Sequence, residues 1–396
     1  MLVDNTYDKK ISNFDTIFFL VTYIPWVFAW MISSSNLKDY LHPYAIINLY
    51  SAFGFVLVII SFFSKKKIEA SFFTRAIPCL IIGAIVSYGN DNASFVLIVL
   101  VFLYLARNVD LDLIVRITMV LQIVSMILTI GSAIIGIIPN DLLAQYYDGE
   151  IRLRHTLGYT YTTYAPNYLF TIVIEAIYLS KKQKRFNWIL LLLSGCFNIF
   201  IYKYTDTRMG FYMVWLALMG YCVLYLTNKS QNYTKLRKYI TISIYPVATV
   251  LSFLFALKYN PNNALMYRLN TIMSQRIRFT HEGLEQWGVT LFGTSVKWNI
   301  DATTYNYVDN SYVNIGICYG VIILLFIVLG LMNTMRKSYK ERDRYLTFVL
   351  ALWAIKAIID PQLFLLWFNP FLIVVGKEWF RVLKKEPEIV VDNLCV

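Results

Sequence analysis

Arginines gather in three short stretches of an otherwise strongly apolar chain. Residues 151–168 read IRLRHTLGYTYTTYAPNY and set Arg152, Arg154 and His155 beside Tyr159, Tyr161, Tyr164 and Tyr168. Residues 203–211, KYTDTRMGF, carry Lys203 and Arg208; residues 274–293, SQRIRFTHEGLEQWGVTLFG, carry Arg276 and Arg278. A guanidinium stays charged at any physiological pH, and its planar fork matches two phosphate oxygens at once. If the three stretches converge, they suit a phosphate or pyrophosphate. The alternative for each arginine is a pair with a nearby acid or a lipid headgroup, which contributes little at an exposed surface.

Spacing separates the candidates. On a helix, Arg278 would face Glu282 one turn on, which favours a surface ion pair. Arg276 faces Thr280 and Gly283 instead, so no acid of its own helix claims it and it is the better ligand. In an extended segment Arg152 and Arg154 share one side, while Leu153 and His155 take the other. Arg208 opens an apolar run, and Asp206 is too close in sequence to be its helical partner.

Three groups are candidates for moving a proton. Asp309, in YNYVDNSYVNIG, stands beside Asn310 just before an apolar run. Its carboxylate could accept a proton from a sugar hydroxyl or cap the helix that follows, and the sequence leaves both open. His281 lies on the apolar stripe formed by Ile277, His281, Leu284 and Leu291, where a packed, hydrogen-bonded histidine competes with a general base. Glu282 is the third. Asp148, Glu150, Asp206, Glu285 and Asp301 are further acids of the same loops. With His42 and His155 as the other histidines and no ligand-like Cys/His spacing, neither a metal nor a cofactor is expected. Tyr146, Tyr147, Tyr305, Tyr307 and Tyr312 join the tyrosines above as interfacial belt residues or platforms for sugar faces.

Membrane helices must position these groups. Of 396 residues, 58% are hydrophobic and only 15% charged, more apolar than a soluble core of this length can use. A bilayer core about 30 Å thick takes roughly 20 helical residues per crossing. On that measure the chain is an all-α polytopic membrane protein, a single integral membrane domain over 1–396. About twelve spans are expected, at 16–33, 44–63, 74–89, 93–106, 111–138, 164–180, 187–202, 209–227, 239–258, 312–332, 345–360 and 362–376. Basic loops stay cytoplasmic. Placing both termini inside keeps Lys65, Lys66, Lys67, Lys181, Lys182, Lys184, Lys235, Arg237, Arg336, Arg342 and Arg344 on that side. The net charge of +12 is therefore a topology signal, and nucleic acid is not an expected partner.

The same map puts the arginine stretches outside, in loops over about 139–163 and 259–311, the second carrying an amphipathic helix that begins near Ser274 and ends near Gly288 or Gly293. Neither end is expected to carry a soluble domain, which removes a fused ATPase or kinase. Cys79, Cys196, Cys222, Cys318 and Cys395 have no close pair and imply no disulfide framework. Arg116, Glu175 and Lys356 fall within spans; Glu175 and Lys356 lie deep enough to pair inside the bundle, which is the basis of a transporter reading.

RLRHTLGYTYTTYAPNY, TDTRMGF, SQRIRFTHEGLEQWGVTLFG and VDNSY, in this order and on one side, resemble the motifs of bacterial polysaccharide repeat-unit polymerases of the Wzy type, relatives of the O-antigen ligases. The likeness covers roughly 150–330. It implies a GT-C-like membrane fold in the bacterial cytoplasmic membrane. The implied activity is glycosyl transfer at its outer face, joining undecaprenyl-pyrophosphate-linked oligosaccharides without a nucleotide-sugar. By the same resemblance Arg154, Arg208 and Arg276 contact pyrophosphate and Asn167 and Asp309 join the site, with membrane lipids, a flippase and a chain-length regulator as partners. HEGLE departs from the ligase pattern around the ligases' loop histidine. The alternatives are a ligase-like transferase and a lipid-linked oligosaccharide flippase or exporter.

Overall fold

The structure, a computed structural model, describes residues 2–63, 68–69, 72–147, 150–182, 186–227, 235–299, 305–380 and 388–389. Helices dominate it. α1 (Leu2–Ser33), α2 (Lys38–Leu41) and α3 (Tyr44–Phe63) come first, then strand β1 (Ile68–Glu69), α4 (Ile77–Gly89), α5 (Val96–Leu105) and α6 (Leu111–Ile134). An antiparallel hairpin, β2 (Leu142–Tyr147) and β3 (Glu150–His155), leads to α7 (Tyr164–Leu179), α8 (Trp188–Thr205), α9 (Arg208–Leu226) and α10 (Lys235–Leu257). Two short helices, α11 (Ala264–Ile272) and α12 (Arg276–Trp287), precede α13 (Ser311–Cys318), α14 (Gly320–Glu341), α15 (Arg344–Ile359) and α16 (Ile373–Phe380). The short strand β4 (Glu388–Ile389) pairs antiparallel with β1.

Among the described residues seven helices are long and apolar enough to cross a membrane, drawn from α1, α3, α6, α8, α9, α10 and α14. The chain is a multi-pass, largely α-helical membrane protein. Polar side chains start several helices by accepting an otherwise orphaned backbone N–H. Asn187 receives Leu190 N at 3.0 Å for α8, and Asp343 receives Leu346 N at 2.9 Å for α15.

The other apolar runs divide by what surrounds them. α7 and α15 have 16 residues each. α5, inside the expected span 93–106, has 10 residues, rises only about 15 Å, and buries every one of them. It packs against α1, α3, α4 and α16, so its all-round apolarity serves the protein interior rather than lipid. The expected span 362–376 is not one helix. Residues 361–369 are irregular, and a 3-10 turn at Pro370–Leu372 leads into α16. Pro361 and Pro370 interrupt helical bonding. The irregular backbone is satisfied from within the protein, Asn369 donating to Leu363 O at 2.8 Å and Gln122 to Trp367 O at 3.0 Å.

The expected span 312–332 is also broken, between α13 and α14. Gly320 has φ +88°, and a Cβ there would stand 2.3 Å from Leu291 O; at Gly293 it would stand 2.2 Å from Cys318 O. The Leu-Phe-Gly turn thus lies backbone against backbone on the break, with Thr294 N donating to Ile317 O at 2.8 Å and Val321 N to Thr290 O at 2.9 Å. Asn90 holds the turn from the far side by donating to Phe292 O at 2.9 Å.

The loop before this turn carries the expected amphipathic helix, α12, but it begins differently. Ser274 and Gln275 have φ of +53° and +67° and form the turn out of α11, a helix the sequence reading did not include. Asn270, not Ser274, serves the new N-terminus by accepting Arg278 N at 3.0 Å. Gly288 ends the helix, leaving Leu291 outside it and exposed.

Candidate functional site

Two arginines from distant stretches approach one end of the bundle, each held by the last turn of a helix. Arg154 projects from β3, paired with Leu143 on β2. Strand alternation buries Arg154 and leaves Ile151 and Leu153 exposed, as the pattern requires. Its Nε donates to Thr205 O at 2.8 Å and its Nη2 to Thr207 Oγ1 at 2.7 Å, satisfying the C-terminus of α8. Arg152, on the same side of the strand, stands 3.6 Å from Asp206.

Arg276 opens α12 and reaches the end of α15. Its Nε donates to Ile359 O at 2.6 Å and lies 3.5 Å from Asp309, while Nη2 lies 3.9 Å from Asp360. The residues around Asp309 clamp the same helix end. Asn310 donates to Ile358 O at 3.1 Å, Ser311 to Asp360 O at 2.5 Å, and Tyr312 to Ala354 O at 3.0 Å. Asn310 also caps α13, its Oδ1 accepting Tyr312 N and Val313 N at 3.0 and 3.2 Å. Between the two roles the sequence left open for Asp309, capping therefore falls to its neighbour. The Asp309 carboxylate instead accepts from Tyr305 Oη at 3.3 Å and faces Arg276.

Lys356, which the sequence offered only as a partner of Glu175 in a transporter, and Asp360, which it did not offer, complete the cluster. Lys356, fully buried one turn before the end of α15, pairs with Asp360 and donates to Asn167 Oδ1 at 2.5 Å. It does not pair with Glu175. Glu175 lies buried beside Gln122, and neither of its carboxylate oxygens has a partner at hydrogen-bond geometry among the described residues. Arg116 is exposed on α6. The sequence did hold a signal for Asp360, namely its four-residue spacing from Lys356 and the Pro361 that must end the helix.

Three cations, Arg154, Arg276 and Lys356, thus share one region with two carboxylates, Asp309 and Asp360, and Tyr161 lies within electrostatic reach of Arg154, Arg276 and Asp309. Burial pushes the Asp309 carboxyl up to about 6; Arg276 opposes that shift and Asp360 adds to it. At neutral pH Asp309 is mostly a carboxylate, with a proton affinity near that of a useful base. Burial disfavours the charge of Arg276, but Asp309 and Asp360 more than offset it. Arg154 feels burial without an equal offset, and its acidity rises.

The remaining candidates lie apart from this cluster. Arg208 is exposed at the first position of α9, and none of the described residues pairs with it. Arg278 and Glu282 form the expected surface pair at 3.5 Å. His281 donates Nδ1–H to Ala256 O at 2.9 Å and turns Nε2 towards Glu285 at 3.4 Å, so it is packed and oriented between α10 and its own helix. Tyr159, Tyr168 and Tyr312 are core residues rather than belt or sugar platforms, Tyr168 stacking on Phe368 at 4.4 Å. Tyr161, Tyr164, Tyr305 and Tyr307 remain half-buried beside the cluster. Asp148 and Asp301 lie outside the described residues. Among the described residues no three His, Cys, Asp or Glu side chains converge as a metal ion would need.

Set against known proteins, the chain matches no family model, no curated protein and no solved structure.

Proposed function

We propose that this protein is a membrane glycosyltransferase of the polysaccharide-polymerase class, acting at the outer face of a bacterial cytoplasmic membrane with both termini inside. It joins undecaprenyl-pyrophosphate-linked oligosaccharides, in a GT-C-like arrangement of about twelve membrane passes, some of them short or broken. The supporting observation is the cluster in which buried Arg154, Arg276 and Lys356 outnumber half-buried Asp309 and buried Asp360 at one end of the bundle. An excess of fixed positive charge beside half-buried tyrosines suits a ligand with a diphosphate end and a sugar end.

In the proposed reaction the bond between the anomeric carbon and the pyrophosphate oxygen breaks, its electron pair leaving with the pyrophosphate. An acceptor sugar hydroxyl forms the new bond to that carbon, and Asp309 takes the hydroxyl proton. Arg154 stabilises the charge growing on the leaving group, while Arg276 and Lys356 hold the carboxylates and add to the positive field. A flippase and a chain-length regulator would act before and beside such an enzyme. The transporter alternative rests on Glu175, whose buried carboxylate has no other evident role.

Purified protein in detergent, given only a lipid-pyrophosphate-linked repeat unit, is expected to produce a ladder of longer saccharides. A transporter has no product to form without a second compartment. Absence of a ladder from folded protein with its cognate substrate would overturn the proposal.

A further inference from the structure

The proposed reaction makes no use of Glu175. It lies on α7, fully buried, and neither of its carboxylate oxygens has a partner at hydrogen-bond geometry among the described residues. Its electrostatic neighbours, Tyr23 on α1 and Gln122 on α6, are neutral groups. Lys356 on α15 is engaged by Asp360 and Asn167, Lys181 and Lys182 pair with Asp112, and Arg116 on α6 is exposed. A carboxyl so placed pays for its charge in lost hydration with no cation to offset it, whereas the acid form costs far less.

The seam around Glu175 is polar, in a register fixed on both sides. α6 and α7 run antiparallel, with Thr171 Oγ1 donating to Gln122 Oε1 at 3.1 Å and Tyr178 Oη to Asp112 Oδ1 at 2.8 Å. Glu175 falls between these rungs, beside Tyr23, whose hydroxyl meets that of Thr118 at 3.0 Å. From Asp112 to Thr118 the helix rises about 9 Å, so the group lies well inside the bundle. Thr118, Gln122, Ser125 and Thr129 form one fully buried stripe of α6. The Ser125 hydroxyl has no protein partner at hydrogen-bond geometry, and Thr129 adjoins Tyr159. Buried polar groups that the protein leaves unpaired are satisfied by ordered water. At the other rung Asp112 also takes Lys181 at 2.5 Å and Lys182 at 2.8 Å, and Lys182 is exposed to solvent. Tyr178, three residues beyond Glu175, is its neighbour on the same helix face.

We propose that this seam is a proton-binding site, in which Glu175 holds an exchangeable proton, internal water joins it to the hydroxyls of α6, and exchange with solvent passes by Tyr178 at the Asp112 end. α7 also carries Asn167, the acceptor of Lys356, so the proton sits on the helix that seats the charged cluster. Glu175 thereby has a role whichever reaction that cluster performs.

Infrared difference spectroscopy on the full chain in detergent, wild type minus Glu175→Gln, tests this. A carboxylic-acid C=O band present at neutral pH in the wild type and lost from the variant is expected, and it should shift when the protein is moved into D2O. Tyr178→Phe is expected to slow that shift about tenfold or more, and Tyr159→Phe, at the far end of the stripe, to leave its rate within about twofold. Glu175→Asp, which moves the band rather than removing it, serves if the glutamine variant does not fold. Carboxylate bands in place of the acid band, an acid band that does not shift in D2O, or an unchanged exchange rate in Tyr178→Phe would overturn the proposal. None of these outcomes depends on whether a saccharide ladder forms.

Discussion

Arg154 and Arg276 do the same structural job in different electrostatic company. Each guanidinium donates its Nε to the last turn of a helix, Arg154 to Thr205 O at 2.8 Å and Arg276 to Ile359 O at 2.6 Å. Arg154 also donates to the Thr207 hydroxyl and has Asp206 within electrostatic reach, whereas Arg276 stands 3.5 Å from Asp309 and 3.9 Å from Asp360. A buried charge held by dipoles keeps its field available to a ligand, whereas one held by carboxylates is largely spoken for. Arg154 is therefore the better anion contact and Arg276 the better organiser of Asp309. Sequence spacing had ranked Arg276 above Arg278 because no acid of its own helix claims it, and could not show that its acids come from other elements.

Stability should separate the two most sharply. Arg276→Met leaves buried Asp360 and half-buried Asp309 without their guanidinium and is expected to cost about 3–5 kcal/mol in denaturant unfolding. Adding Asp360→Asn should recover part of that loss. Arg154→Met strands a carbonyl and a hydroxyl rather than carboxylates and should cost about 1–3 kcal/mol. Equal costs would remove the distinction.

Activity should rank them the other way when charge is kept. Arg154→Lys cannot reproduce the bidentate fork and is expected to slow ladder formation on the order of 100-fold with little change in unfolding. Arg276→Lys should lose rate and stability together. If Arg154→Lys loses stability but keeps its rate, Arg154 is only a helix cap.

The Asp309 environment predicts a pH signature. Its folded-state value of about 6 lies above the roughly 3.9 of an unfolded aspartate, so the native state holds the proton more tightly between them. Its contribution to stability is full below pH about 4 and lost as pH rises through about 6. Relative to wild type, Asp309→Asn should remove that downward slope. Activity should instead rise with pH through the same region, where the carboxylate becomes available as a base.

The smallest effects are expected at the surface pair. Glu282→Gln and Arg278→Lys should each shift stability by less than about 1 kcal/mol and leave ladder formation within roughly twofold. A large loss at Glu282 would move the proton-transfer site onto α12.

Local order was legible without coordinates wherever one element sets it. Alternation placed Arg152 and Arg154 on one side of a strand, helical spacing paired Arg278 with Glu282, and the apolar runs located the long membrane helices. Hydropathy reports transfer out of water, not into what. It therefore could not distinguish α5, which is buried on all sides, from a lipid-facing span, nor see that the run after Pro361 is irregular chain inside the protein. That second misreading hid Asp360 at the boundary between two supposed spans. The Lys356–Asn167 and Arg276–Asp360 contacts and the burial of Tyr159, Tyr168 and Tyr312 were decided only by tertiary packing. Each depends on atoms tens to hundreds of residues apart in the chain, and the sequence pattern of any one element carries no record of them.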